Sequence, residues 1–181
     1  HKVGPCMEKA NRHYSGKDKT TERGYLLVDS FFSDGKNSFP VFADFYLRKE
    51  DCDDANPFRT IRDICIEQID YAVKNLPIKI IMMDAGLYAD FLLVHIKSLR
   101  LKYVVGIHAN TCISVEGKER VSVNDYVSRL TKDDLCHHFI NGETYFLHSK
   151  EIYTRGVGKE KLLISYKAGD EENLKVCVTN I

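Results

Sequence analysis

The feature that most constrains this chain is a short apolar run at positions 78–83, Ile-Lys-Ile-Ile-Met-Met, that stops abruptly at Asp84-Ala85-Gly86. A nearly continuous apolar stretch of this length is the pattern of a strand covered on both faces, as parallel sheets require. Parallel neighbours need a crossover, and the flanking segments supply helical spacing. Upstream, Asn56 is placed to act as N-cap and Pro57 as the first helical residue, while Ile61, Cys65, Ile69, Ala72 and Leu76 recur on one face before Pro77 ends the helix. Downstream, residues 88–99 carry Tyr88, Phe91, Leu92, His95 and Leu99 on one stripe, and residues 103–107 read as a second buried strand.

Earlier in the chain, residues 24–32 and 39–47 are rich in β-branched and aromatic side chains, and Asp34-Gly35-Lys36-Asn37 between them supplies turn chemistry, so this stretch reads as a β-hairpin. The order strand, strand, helix, strand, helix, strand defines a mixed α/β sheet. Beyond His108 the texture changes. Residues 124–130 suit a short helix, while 142–147, 161–167 and 174–178 suit antiparallel strands between Gly-rich and charged turns. A boundary is therefore expected near residue 108, giving an α/β core at 1–107 and a β-rich region at 108–181.

Composition narrows the function classes. Lys and Arg total 26 and Asp and Glu total 26, for a net charge of zero with 44% hydrophobic residues, which excludes a dominantly disordered chain and a uniformly basic nucleic-acid wrapper. No apolar run approaches the roughly 20 residues of a membrane span. Local basicity remains, because residues 1–23 carry Lys2, Lys9, Arg12, Lys17, Lys19 and Arg23 against fewer acids, a set that suits equally a contact with phosphates that does not read sequence and a solvated loop. The six cysteines, at 6, 52, 65, 112, 136 and 177, lack metal-knuckle or redox spacing, and Cys65 and Cys177 read as small core residues. His137 and His138 follow Cys136, but neighbours in sequence point apart on a strand, which argues against a metal site.

Asp84 carries the clearest chemistry. Open α/β sheets build their sites at the carboxyl ends of strands, and a carboxylate there can ligate a hard divalent cation. The same position also suits a simple helix cap, so both readings stand on pattern alone. Asn11-Arg12-His13-Tyr14-Ser15-Gly16, Arg23-Gly24-Tyr25, the Phe39-Pro40 hairpin, Met83-Asp84-Ala85-Gly86-Leu87-Tyr88 and Leu101-Lys102-Tyr103-Val104-Val105 occur here in one order. Together they resemble the catalytic core of insertion-sequence DDE transposases over roughly residues 1–110, with Val178-Thr179-Asn180 also suggestive.

The resemblance implies a ribonuclease H-like fold, here partial with its first strand missing and followed by a β-rich C-terminal insertion. It implies two Mg2+ or Mn2+ ions held by two Asp and a Glu, which promote DNA cleavage and strand transfer. It further implies DNA as partner (transposon ends and target), a homodimer, no membrane, and action in the cytoplasm of a bacterial or archaeal cell. Asp84 corresponds to the second acid. The first Asp belongs on a strand preceding a segment like 1–16, and the Glu on a helix near a Tyr, Arg and Trp motif; this chain has no Trp and neither acid at those positions. It thus reads as a piece of something longer, and the isolated chain is expected to be inactive, since one acid cannot hold two ions.

Asp29 and Asp44, and late in the chain Glu160, Glu171 and Glu172, are better read as solvated charges than as the missing acids. Tyr14 and Tyr88 are candidates to border the site or stack on a base, against the default of core or rim packing, and Tyr88 is read as a helix-packing residue. In the implied topology the first strand lies between the hairpin and the strand ending at Asp84. Two rivals follow: a non-catalytic α/β binding module, including a degenerate transposase relic, and a metal-dependent nuclease in which Asp29, Asp44 and Asp84 converge.

Overall fold

The computed structural model describes residues 10–15, 19–117 and 119–181. The chain divides into two compact units, His1–Pro77 and Ile78–Ile181. It is a mixed α/β protein dominated by strand, 48% against 24% helix.

In the first unit, β1 (Asn11–Ser15) and β2 (Thr20–Gly24) form a two-stranded antiparallel ribbon. The expected hairpin is present as β3 (Leu26–Ser33) and β4 (Ser38–Tyr46). Asp34 builds its turn, because Oδ1 accepts from Lys36 N at 2.8 Å and Asn37 N at 2.7 Å, while Gly35 takes a φ of 92° that side chains resist. The helix α1 (Ile61–Asn75) starts four residues later than Asn56 would place it. Thr60 caps it instead, through a reciprocal box in which Asp63 N donates to Thr60 Oγ1 at 3.2 Å and Thr60 N donates to Asp63 Oδ2 at 2.8 Å. Asn56 is held back by Asp53, whose Oδ1 accepts from Asn56 N at 2.8 Å. The buried face of α1 is Ile64, Cys65, Gln68 and Ile69, and it packs on the hairpin, where Gln68 Nε2 donates to Val28 O at 2.9 Å. That bond satisfies a buried amide which would otherwise cost about 1–3 kcal/mol.

The second unit is one eight-stranded sheet. β5 (Ile80–Met83) leads through α2 (Asp90–Ser98) to β6 (Lys102–Gly106), and β5 and β6 pair in parallel, as the apolar run predicts. β7 (Cys112–Val115), β8 (Glu119–Ser122), α3 (Val123–Ser128), β9 (Cys136–Ile140), β10 (Glu143–Thr154), β11 (Gly158–Lys167) and β12 (Asp170–Thr179) follow. The spatial order is β5-β6-β12-β11-β10-β7-β8, with β9 also on β10. Tyr103, Val105, Val178, Leu162, Ile164 and Ile152 line one face of this sheet and are buried, as are Leu92, Leu93 and Ile96 of α2. Each such side chain contributes roughly 1.5–3 kcal/mol relative to exposure. The other face carries ion pairs such as Lys159–Glu151 and Lys167–Glu143, both at 2.6 Å.

Three expectations are corrected. The boundary near residue 108 falls inside the second unit: Val104, Val105 and Gly106 pair with Thr179, Val178 and Cys177, so residues on both sides of it share one sheet. Thr179 and Asn180 strengthen that junction, Thr179 Oγ1 donating to Tyr103 O at 2.5 Å and Asn180 Oδ1 accepting from Tyr103 N at 2.9 Å. Second, β5 is not covered on both faces. It is an edge strand, Met82 is 78% exposed, and among the described residues no strand pairs with its free edge. Third, the buried stripe of α2 is Leu92, Leu93 and Ile96, while Phe91 is exposed and Tyr88 precedes the helix.

Candidate functional site

Asp84 stands where the sequence places it, at the carboxyl end of β5, and it is exposed. It is the N-cap of a 3-10 turn, Ala85–Leu87, its Oδ1 accepting from Ala85 N at 2.7 Å and its carbonyl accepting from Leu87 N at 3.0 Å. The carboxylate therefore has both features that the two readings demand, an open strand-end position and a bond to its own turn. A Cβ added at Gly86 would meet only Asp84 Oδ2, at 4.0 Å, so there is open space beside the glycine on that side of the carboxylate.

The turn is pressed against β6. A Cβ on Gly106 would come within 3.0 Å of Ala85 N and 3.2 Å of Ala85 Cβ, so only glycine lets the strand and the Asp84 turn approach this closely. Beyond the turn lies the residue that sequence reasoning misjudged. Glu160 is neither in a turn nor solvated: it sits on β11, is 2% exposed, and its two carboxylate oxygens accept from Tyr103 Oη and Thr154 Oγ1. Burial, with the nearby Glu160 and Asp90 charges, pushes the Tyr88 pKa up to about 12. Burial and the Glu160 hydrogen bond raise Tyr103 further in the same direction. The only signal in the sequence was period-2 alternation, which puts Glu160 on the same side as Leu162 and Ile164. Glu171 and Glu172 are exposed, though on β12 rather than in a turn.

The proposed convergence of carboxylates fails within the hairpin. Val28 lies opposite Asp44 and Asp29 opposite Ala43, so Asp29 and Asp44 point to opposite faces of the ribbon. Asp44 is also engaged by Arg59 at 2.8 Å, and Arg59 by Glu67 at 2.7 Å; these bonds raise the guanidinium pKa against the opposing effect of burial. This ion-paired chain borders a cleft of about 510 Å3 lined by Tyr25, Phe45, Leu47 and Pro57. Among the described residues no group of three or more His, Cys, Asp or Glu is arranged to hold a metal. His137 and His138 lie on the exposed β9, where His137 packs edge-on against Phe146 at 4.7 Å. Cys65 is buried and Cys177 half-buried, and burial raises both thiols.

Of the basic candidates, Lys2, Lys9 and Lys17 lie outside the described residues. Arg12 and Arg23 are directly opposite each other on β1 and β2, both exposed, and Lys19 occupies a left-handed position (φ 52°) just before β2. Like charges placed opposite each other are unfavourable without an anion between them. Tyr14, 69% exposed, shares their face, and Arg48 Nη2 donates to Arg12 O at 2.6 Å while its Nη1 lies 3.8 Å from Glu50 Oε1. No protein-family model and no curated protein sequence matches the chain. No helix among the described residues is long and apolar enough to cross a membrane.

Proposed function

We propose that Asp84 is a metal-ligating acid of a DDE-type transposase, held within a ribonuclease H-like core. The observation that carries the reading is an exposed carboxylate at the end of a parallel strand, with one oxygen fixed by Ala85 N and space left beside the other. A strand-end carboxylate of this kind supplies one ligand of several that a Mg2+ or Mn2+ ion needs. When bound, such ions activate the attacking oxygen and stabilise the leaving one in phosphoryl transfer. Asp84 would supply one ligand, and the Arg12–Arg23 face of the other unit carries the kind of charge that contacts DNA phosphate.

The test is titration of the 181-residue chain with Mn2+, read as paramagnetic broadening of backbone amides. Saturable broadening centred on residues 84–87 and lost in Asp84→Asn is expected; broadening that ignores Asp84, or none at all, sinks the reading. Incubated with supercoiled plasmid and Mg2+, the chain is expected to leave it intact. Nicking abolished by Asp84→Ala would instead place the remaining acids inside these residues. A non-catalytic binding module is favoured by one observation, the Ala85 N to Asp84 Oδ1 bond, which is all a structural cap requires.

A further inference from the structure

We propose that β9 is a self-association edge through which two copies of this chain pair strand to strand, antiparallel about His138; this is independent of the reading of Asp84. β9 hydrogen-bonds β10 along one edge, and among the described residues no strand occupies the other. All of its residues are exposed, Phe139 at 76% and Ile140 at 52%. Exposed edges are ordinarily guarded by Lys, Pro or a bulge, yet residues 135–142, Leu-Cys-His-His-Phe-Ile-Asn-Gly, contain no Lys, Arg, Asp, Glu or Pro. The turn that follows fixes which groups the free edge offers. Asn141 and Gly142 take φ of 50° and 83°, a type I′ loop that makes Ile140 and Glu143 a hydrogen-bonded pair. Pairs alternate along an antiparallel ladder, so the N–H and C=O of His138 turn toward Tyr145 while those of His137 and Phe139 turn outward. Two outward residues flanking a central one are self-complementary. A twofold axis at His138 sets His137 against Phe139 of the second copy, where they exchange both N–H···O bonds, and this register pairs every residue of the strand. Side chains agree with it. Tyr166, Phe146 and His137 form a row across three strands, with ring centroids 5.1 Å and 4.7 Å apart. Phe139 shares the face of His137, and in the twofold register it becomes the next ring in the second copy's row. Ile140 meets Cys136 of the second copy on the opposite face, so the exposed apolar residues are covered and no Lys, Arg, Asp or Glu of the strand is desolvated. A charged strand from another protein would leave its charges uncompensated there, which favours a second copy of this neutral strand as the occupant.

The experiment is sedimentation equilibrium of the whole 181-residue chain in a dilution series starting from about 1 mM, with amide spectra recorded on the same samples. A monomer–dimer equilibrium is expected, with concentration-dependent shifts centred on residues 136–140. Phe139→Lys changes an exposed side chain, so the amides of β10, β11 and β12 should stay in place. It is expected to weaken dimerisation by at least about tenfold, because each dimer carries the new charge twice on the shared edge. Register is read by cross-linking in a Cys136→Ser background. His138→Cys sets the introduced thiol opposite its own copy at a non-hydrogen-bonded pair, where Cα atoms lie about 4.5 Å apart, and is expected to form a disulfide-linked dimer under diamide. His137→Cys, whose counterpart in the second copy is displaced along the strand, is expected to cross-link severalfold less. A chain that stays monomeric throughout the series, assembly beyond the dimer, dimerisation untouched by Phe139→Lys, or equal cross-linking from positions 137 and 138 each overturns the proposal. Asp84→Asn is expected to leave dimerisation unchanged, so loss of Mn2+ binding and loss of the dimer are separate results.

Discussion

At the scale of single residues, the chain places chemistry where a local rule and a distant partner agree. Thr60 and Asp63 start α1 by satisfying each other's backbone amides, a device readable in the sequence but overlooked there in favour of Asn56. Thr60→Ala is expected to cost about 1 kcal/mol, measured by urea denaturation. Gly106→Ala is expected to cost about 1–3 kcal/mol in the same measurement, since the added methyl meets the Ala85 backbone at 3.0 Å and neither strand nor turn can yield cheaply. Asp84 itself was legible, because an apolar run ending in Asp-Ala-Gly states its own position. Glu160 was not, because a carboxylate is buried by what surrounds it, and its partners Tyr103 and Thr154 come from two other strands. Its cluster has a pH signature. Tyr88 has a folded pKa raised from 10.0 to about 12, so the folded state retains a proton that the unfolded chain releases first. The stabilisation is complete below about pH 10 and is lost as pH rises toward 12. Thermal melts from pH 9 upward, with phenolate absorbance followed in parallel, are expected to show wild type losing stability more steeply than Tyr88→Phe.

At the scale of elements, alternation and pairing divide the sheet into two chemistries. The face of Leu162, Ile164 and Val178 is dry, and the face of Lys159 and Lys167 is ion-paired and wet. Ile152→Ala on β10 is expected to cost about 2–5 kcal/mol, whereas Met82→Lys on the edge strand β5 should stay within about 0.5 kcal/mol, both read from denaturation midpoints. The hairpin and the parallel β5–β6 pair were legible from period and turn residues. The status of β5 as an edge was not, since an apolar run says only that a strand prefers cover, and the sheet decides how much it receives. At the β1–β2 ribbon, the DNA contact proposed for the opposed Arg12 and Arg23 would weaken with salt. Arg12→Ala with Arg23→Ala is expected to reduce the slope of log affinity against log salt by about 2 for duplex DNA, measured by fluorescence anisotropy.

At the scale of the whole molecule, the chain is two compact units that meet in sequence between Pro77 and Ile78. Residues 78–181 contain their own sheet and core, so that segment expressed alone is expected to unfold cooperatively and to keep the amide spectrum of β10, β11 and β12; a collapsed, poorly dispersed spectrum would refute its autonomy. The sequence by itself determined the kinds of element, the hairpin turn, the parallel pair and the strand-end position of Asp84, because each depends on residues a few places apart. Only the tertiary structure decided that the chain divides at 77/78, that β12 joins β6, that Asp29 and Asp44 face apart, and that Glu160 lies buried against Tyr103 and Thr154. Those outcomes depend on which distant strands pair and in which register, and local periodicity contains no information about the partner.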